Sequence, residues 1–410
     1  MGGLSPTLPH FLRALATRNY RLYFAGQCVS LLGNWMTTTA ALWLAYQLSE
    51  SPFTVGMVVF ASQIPVLFCA PFFGVWVDRV DGLKLVRLAQ GLAMVQSAAL
   101  AVFTLTGHMT VPVLLGLCAV QGFINALDWP ARQALTYRLA EDRAVLDNVI
   151  ALNSITFNLA RLIGPAIAGF AIAAWGPGVV FAIDAVSYVA VLAALALVRL
   201  PPVPARVRVA HPLAELREGA RYAWAHPTIR RVLLLVPVIG LAGFGHTILG
   251  PVFARDVFGG DARTLGFLMS ATGVGSLATG VWLSFRRTTA GLAGVAVWGA
   301  AIVGLGLAGL GAHSSFTLAL GCFAAAGGGA ALVMVSSNTL LQSLVDDDKR
   351  GRVMSLFTMG QSMYPVGSLL IGALAEAAGP RVAILVCGAV CVATAVGFRR
   401  GGAAGADAGK

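Results

Sequence analysis

The chain has 410 residues, 58% of them hydrophobic and only 11% charged, with a mean hydropathy of +0.80. Soluble domains carry about 25% charged residues, so this composition excludes a soluble globular protein and indicates one built into a membrane. A net charge of +11 would suit nucleic acid if the bases shared one surface. Here they come instead in short clusters between apolar runs of about twenty residues, the length a helix needs to cross the hydrocarbon core.

Taken in chain order, residues 1–19 carry Arg13 and Arg18 but neither the apolar core nor the cleavage site of a secretory signal. They are expected to be a cytoplasmic segment. Twelve spans follow, at 20–47, 53–77, 85–106, 112–134, 147–173, 178–199, 232–253, 264–285, 290–311, 316–343, 352–375 and 380–398. Helices are the expected form, because each satisfies its own backbone hydrogen bonds where water is absent. The division expected is a six-helix bundle over 20–199, a cytoplasmic linker over 200–231, a second bundle over 232–398 and a cytoplasmic tail over 399–410. Within the linker, Leu213 to Trp224 is amphipathic and is expected to lie on the membrane surface. All but four of the 28 basic residues, namely Arg161, Arg255, Arg263 and Arg381, then fall on one side. The positive-inside rule places both termini in the cytoplasm, and a nucleic-acid partner is not expected.

The two halves share a pattern. "GPAIAGFAIAAWGP" at Gly164 to Pro177 returns as "GSLLIGALAEAAGP" at Gly367 to Pro380. Gly164, Gly169, Gly176 and Pro177 recur as Gly367, Gly372, Gly379 and Pro380 at one displacement close to half the chain. "GVW" at Gly74 likewise returns at Gly280. A duplicated six-helix unit, the two copies running in the same direction through the membrane, is the parallel-repeat design of one group of secondary transporters. Glycine at such positions lets helix backbones approach closely.

The stretch "FFGVWVDRVDGLK" (Phe72 to Lys84) ends an apolar span with Asp78 and Arg79. Twelve spans in two halves, with Gly74, Asp78 and Arg79 in the first cytoplasmic loop, resemble the major facilitator superfamily, whose loop signature runs roughly G-x-x-x-D-R-x-G-R-R/K. Asp81, Gly82 and Leu83 depart from it, and Lys84 and Arg87 supply the displaced positive charge. The resemblance implies that Asp78 faces the start of span 11 near Arg352. A carboxylate at a helix N-terminus contributes about 0.3–1 kcal/mol, so Gly74, Asp78, Arg79, Lys84 and Arg352 would form a latch that biases one conformation. The alternative is a topology signal with a solvated ion pair. "ALDWPARQAL" (Asp128, Pro130, Arg132), "NLARLIGPAIAG" and "KRGRVMSLFTMG" resemble the drug:proton antiporter group that includes macrolide efflux proteins and enterobactin exporters. The second of these carries the antiporter-type motif Gly164, Pro165 and Gly169, in which proline removes a backbone donor and bends or loosens the helix.

Ionisable groups inside a membrane are costly and mark pathways, proton relays or ion pairs. Arg161 and Asp184 lie at depths that differ by about 7 Å at 1.5 Å per residue, so an Arg161–Asp184 interaction is expected if the helix faces agree. Asp128 stands one turn from Arg132 and reads as either a structural pair or a proton carrier. In span 1, Gln27, Ser30, Asn34 and Thr38 form one polar stripe, joined by Gln121 and Asn125 in span 4, Asn158 in span 5 and His246 in span 7. These line a cavity or hydrogen-bond between helices.

Function follows from what is present. No Gly-rich loop ends in Gly-Lys-Ser/Thr, so direct use of ATP is not expected. No paired carboxylates, metal-spaced histidines or nucleophile with its base suggest an enzyme, and no cofactor or metal is expected. The six cysteines all fall in spans, as small hydrophobes. The reading is an all-α transporter in the inner (plasma) membrane, exporting a small amphiphilic compound, drug- or siderophore-like, in exchange for protons by alternating access. An importer on the same scaffold is the alternative, and the resemblance implies a monomer.

Overall fold

A computed structural model describes residues 10–77, 80–140, 143–200, 212–286 and 288–407. A short 3-10 turn (His10–Ala16) leads into α1 (Arg18–Ser49), α2 (Pro52–Val77), α3 (Gly82–Leu105), α4 (Val111–Leu139), α5 (Arg143–Trp175) and α6 (Pro177–Leu197). After α7 (Pro212–Ala225) comes α8 (Pro227–Val238), which continues through a π-helical turn (Ile239–Gly243), α9 (Gly245–Ile248), α10 (Gly250–Val252) and a second π-helical turn (Phe253–Val257). Then follow α11 (Ala262–Ser284), α12 (Leu292–Ala312), α13 (Phe316–Leu344), α14 (Arg350–Gln361), α15 (Tyr364–Ala378) and α16 (Pro380–Asp407).

Among the described residues, ten helical stretches are by themselves long and apolar enough to cross a membrane. The other two spans fall short for reasons written in the sequence. Gln27, Ser30, Asn34 and Thr37 to Thr39 dilute the apolar character of α1. Span 11 is split at Ser362–Met363, ahead of Pro365, which has no amide proton to continue the hydrogen-bond ladder. The fold is an all-α membrane protein of twelve transmembrane helices in two six-helix halves. Span 7 is longer than its apolar run suggested, Pro227–Val257, and Pro237 and Pro251 lie by its two π-helical turns.

The described residues group into two units, one made of 10–44 and 61–200, the other of 45–60 and 212–407. The repeat is visible in the backbone of each. Gly176 and Gly379 adopt φ of +81° and +87°, where a side chain would be strained, and each turns the chain directly into a helix starting with proline. In the first unit the missing Cβ of Gly164 lets α5 approach Trp35 of α1. In the second that of Gly367 does the same for α15 against Leu241. The helix bearing Pro165 is unbroken over Arg143–Trp175.

Each unit has its own apolar core. Tyr20, Tyr23, Leu135, Leu139, Val191 and Leu195 are central to the first. Ile229, Val232, Val236, Leu341, Val353 and Phe357 serve the second. The amphipathic helix α7 belongs to this second core through Ala223, and Gly219 admits the Arg352 side chain against it. One face of it is therefore docked on protein, while Arg221 and Trp224 stay exposed. Glu218 fastens it, 2.6 Å from both Lys349 and Arg352. Those two cations hold the Glu218 carboxyl below its usual range, Lys349 being the stronger.

Candidate functional site

In the first unit α1, α3, α4 and α6 bring polar side chains to one small pocket. Ser30, Asn34, Gln90, Gln121, Asn125, Asp128, Arg132 and Tyr188 line it. Asp128 and Arg132 form an ion pair one helical turn apart. Arg132 Nε donates to Asp128 Oδ2 at 3.0 Å, and a terminal guanidinium nitrogen reaches the same oxygen. Gln90 Nε2 donates to Oδ1 at 2.9 Å, and Arg132 also donates to Gln27 Oε1. Gln27, Gln90 and Asp128 are buried, so the desolvated carboxylate and guanidinium satisfy each other and enlist one glutamine apiece. Gln121 Nε2 donates to Asn125 Oδ1 at 2.9 Å along α4. Sequence reasoning missed Gln90 and Tyr188, because a single glutamine or tyrosine in an apolar span carries no periodic signal.

A second carboxyl forms no ion pair among the described residues. Asp184 in α6 is 1% exposed. Its Oδ2 accepts from Thr37 Oγ1 at 2.9 Å and Ser97 Oγ at 2.7 Å, and Ser187 Oγ stands 3.5 Å from Oδ1. The expected Arg161–Asp184 pair does not form. The hydroxyls of α1 and α3 occupy the carboxyl, while Arg161 Nε in α5 is buried without a hydrogen-bond partner. Depth along two helices was compatible, but which way each helix faces was not readable from depth. Gly33 makes room for this site, since a Cβ there would fall 2.8 Å from Ser187 Oγ and against Asp184.

The remaining candidates are dispersed. Thr38 is exposed and bonds the Asn34 carbonyl of its own helix, and Asn158 bonds that of Ser154. His246 belongs to the second unit, buried edge-on against Phe323. Of the latch residues, Asp78 and Arg79 lie outside the described residues, Gly74 sits in the last turn of α2, and Lys84 is exposed. Arg352 is engaged by Glu218. Arg87 donates to the carbonyls of Leu195 and Val198 at the C-terminal end of α6, a favourable place for a cation. Asp81 caps α3 by accepting from Leu83 N and binds Arg138 at 2.7 Å. Partial burial opposes its ionisation, but Arg138 and the Leu83 amide prevail and hold the carboxyl below its usual range.

In the second unit the segment 45–60 is also held by polar contacts. Arg255 pairs with Glu50 at 2.7 Å and Tyr46 donates to Asp256. Ser51 Oγ donates to Glu376 at 2.8 Å, and Ser368 Oγ to the Gly56 carbonyl at 3.0 Å.

Twelve transmembrane helices in two repeated halves, with a buried polar cluster in the first, are the architecture of a major facilitator transporter. Within that class the chain belongs to the transmembrane secretion effector family, which it matches over residues 11–401. It is 25% identical to the staphyloferrin A transporter of Staphylococcus aureus over 362 residues, covering 88% of this chain and 90% of that one. It is 24% identical to macrolide efflux protein A of Streptococcus pyogenes over 393 residues, covering 92% and 95%. Among solved structures, a variant of the nucleoside transporter NupG superposes with a TM-score of 0.74 at 13% identity, covering 96% of this chain and 99% of that one. This last likeness is one of fold alone.

Proposed function

We propose that this protein exports a small amphiphilic organic compound, drug- or siderophore-like, in exchange for protons, by alternating access. It would do so as a monomer in the inner membrane with both termini in the cytoplasm. Export is supported by likeness, over about nine-tenths of the chain, to relatives named for efflux of a macrolide and transport of a siderophore. A cargo with few fixed charges fits a polar pocket whose own charges are already paired.

The observation that carries proton exchange is the shell around Asp184. A hydroxyl either donates or accepts, so Thr37, Ser97 and Ser187 serve both the ionised and the protonated carboxyl by rotating. Asp128 lacks that freedom, because a guanidinium only donates. We therefore assign proton carriage to Asp184 and a structural role to the Asp128–Arg132 pair. Asp78 and Arg79 keep their proposed role as a latch.

The test is expression in an efflux-deficient bacterium, measuring erythromycin resistance and accumulation with and without an uncoupler. Export should vanish with the uncoupler. In everted vesicles Asp184→Asn should abolish substrate-driven proton release while leaving erythromycin binding intact. Uncoupler-insensitive efflux would refute exchange, and net accumulation in cells would support the importer instead.

A further inference from the structure

The second unit carries a groove of about 450 Å³ between α8, α12 and α16 that the transport reading does not use. Its polar end holds Arg231, one turn into α8, and Arg399, which closes the apolar stretch Pro380–Arg399. Gly294, near the start of α12 (Leu292–Ala312), lies at that same end. All three positions are helix ends on one side of the bundle, the level at which membrane headgroups lie.

From there the groove deepens along apolar walls. Leu235 is one turn below Arg231, and Val392 is two turns below Arg399. Gly294 to Ala301 spans about 10 Å at 1.5 Å per residue. Trp298, 58% exposed, forms part of the wall, and the Arg399 guanidinium lies 5.3 Å over its ring. That stacking holds the cation at the rim in advance of any ligand. A Cβ added at Gly294 would meet nothing within 4 Å, and no carboxylate lines the groove among the described residues.

Two guanidiniums at the rim of an apolar slot match an anionic head on a hydrocarbon chain. A free anion would leave the apolar walls unused, and a neutral sterol would offer the two guanidiniums no acceptor. We propose that this groove binds an anionic glycerophospholipid, its phosphate at the Arg231 and Arg399 end and an acyl chain along Leu235, Trp298 and Val392. Basic pockets between transmembrane helices hold lipid headgroups in this way.

The experiment is native mass spectrometry of the full-length protein in mild detergent, with added phosphatidylglycerol or phosphatidylcholine of identical chains. The wild type should retain phosphatidylglycerol at least tenfold more than phosphatidylcholine. Arg231→Gln/Arg399→Gln should cut that occupancy at least fivefold. Gly294→Phe keeps both charges but fills the slot, and should cut it equally. Arg217→Gln/Arg221→Gln, which removes the same charge from α7, should change nothing. Should the double arginine variant elute misfolded, Gly294→Phe decides alone. Undiminished adducts in the groove variants, or equal loss in the α7 control, would overturn the proposal. Displacement by glycerol phosphate would overturn it in favour of a free-anion site, and displacement by erythromycin in favour of a cargo site.

Discussion

Replacing Asp128 by asparagine removes a charge without removing volume, so it isolates the electrostatics of the buried cluster. Asp128 accepts from Gln90 and twice from Arg132. In the variant one carboxamide position becomes a donor that faces donors, so the single remaining oxygen must serve either Arg132 or Gln90, and the guanidinium loses its counter-charge. Removing one partner of a buried pair costs about 3–5 kcal/mol. Arg132 retains 22% of its side-chain exposure and Asp128 12%, which sets the expected loss at the lower end, about 3 kcal/mol. Arg132→Gln should cost about as much, because it strands the carboxylate with Gln90 alone.

The double variant buries no charge, so its loss should fall short of the summed single losses by about 2–3 kcal/mol. Equilibrium unfolding in mixed micelles, followed by helical circular dichroism for the four proteins of the cycle, measures that coupling. Additive losses would show that Asp128 and Arg132 do not stabilise the bundle through each other. The same variants separate the two carboxyls, since the pH dependence of efflux should persist in Asp128→Asn and disappear in Asp184→Asn.

Gly275→Ala should destabilise by about 1–3 kcal/mol, the usual cost of overpacking, because its Cβ would run into the Ala324 carbonyl of α13. Gly280→Ala, on the same helix with nothing within 4 Å, should instead be neutral or gain up to about 1 kcal/mol, and thermal unfolding of the pair checks both. Gly176→Ala and Gly379→Ala place a side chain at positive φ and should each cost about 1–2 kcal/mol, read as lost midpoint in the same assay. Because the folded-state value of Asp81 is depressed, its contact with Arg138 stabilises fully above the ordinary carboxylate range near 3.9 and is lost as pH falls through the lower folded value. Acid unfolding of Asp81→Asn should therefore converge with wild type at the acid end and diverge by about 0.2–1 kcal/mol above it; a constant gap across pH 2–6 would refute the assignment.

How much of this was legible in sequence depends on whether a feature is local. The Gly-Pro turns at 176–177 and 379–380 need only adjacent residues, and the repeat exposed them. The polar stripe of α1 was legible because a helix returns the same face every three to four residues. What failed was rotation about the helix axis. Arg161 and Asp184 lie at depths within reach of two extended side chains, yet Asp184 is enclosed by Thr37, Ser97 and Ser187, and no periodicity within one span says which neighbour its face will meet. Gln90 escaped for the same reason. The docking of α7 was hidden because an amphipathic face looks identical whether lipid or protein covers it. Glu218, spaced to reach Lys349 and Arg352, was the one available hint.

The duplication also separates scaffold from chemistry. Helices α4 and α13 each have 29 residues, and laid end to end they set Gln121, Asn125, Asp128 and Arg132 against Ala326, Ala330, Val333 and Ser337. The turns and close helix approaches recur in both halves, whereas these four charges and amides do not, and α13 carries a different amide pair, Gln342 donating to Asn338. Packing geometry is thus what both copies retain, and the buried ion pair, costly unless partnered, stands in the half where Gln27 and Gln90 complete its network. A second copy of Asp128 at Val333 would meet Ser337 in place of an arginine. Val333→Asp alone should therefore destabilise, by more than Val333→Asn, and adding Ser337→Arg should restore only part of the loss, because no counterpart of Gln27 or Gln90 waits on the neighbouring helices. Full restoration by that pair would show that the two halves are chemically interchangeable and that the asymmetry is an accident of drift.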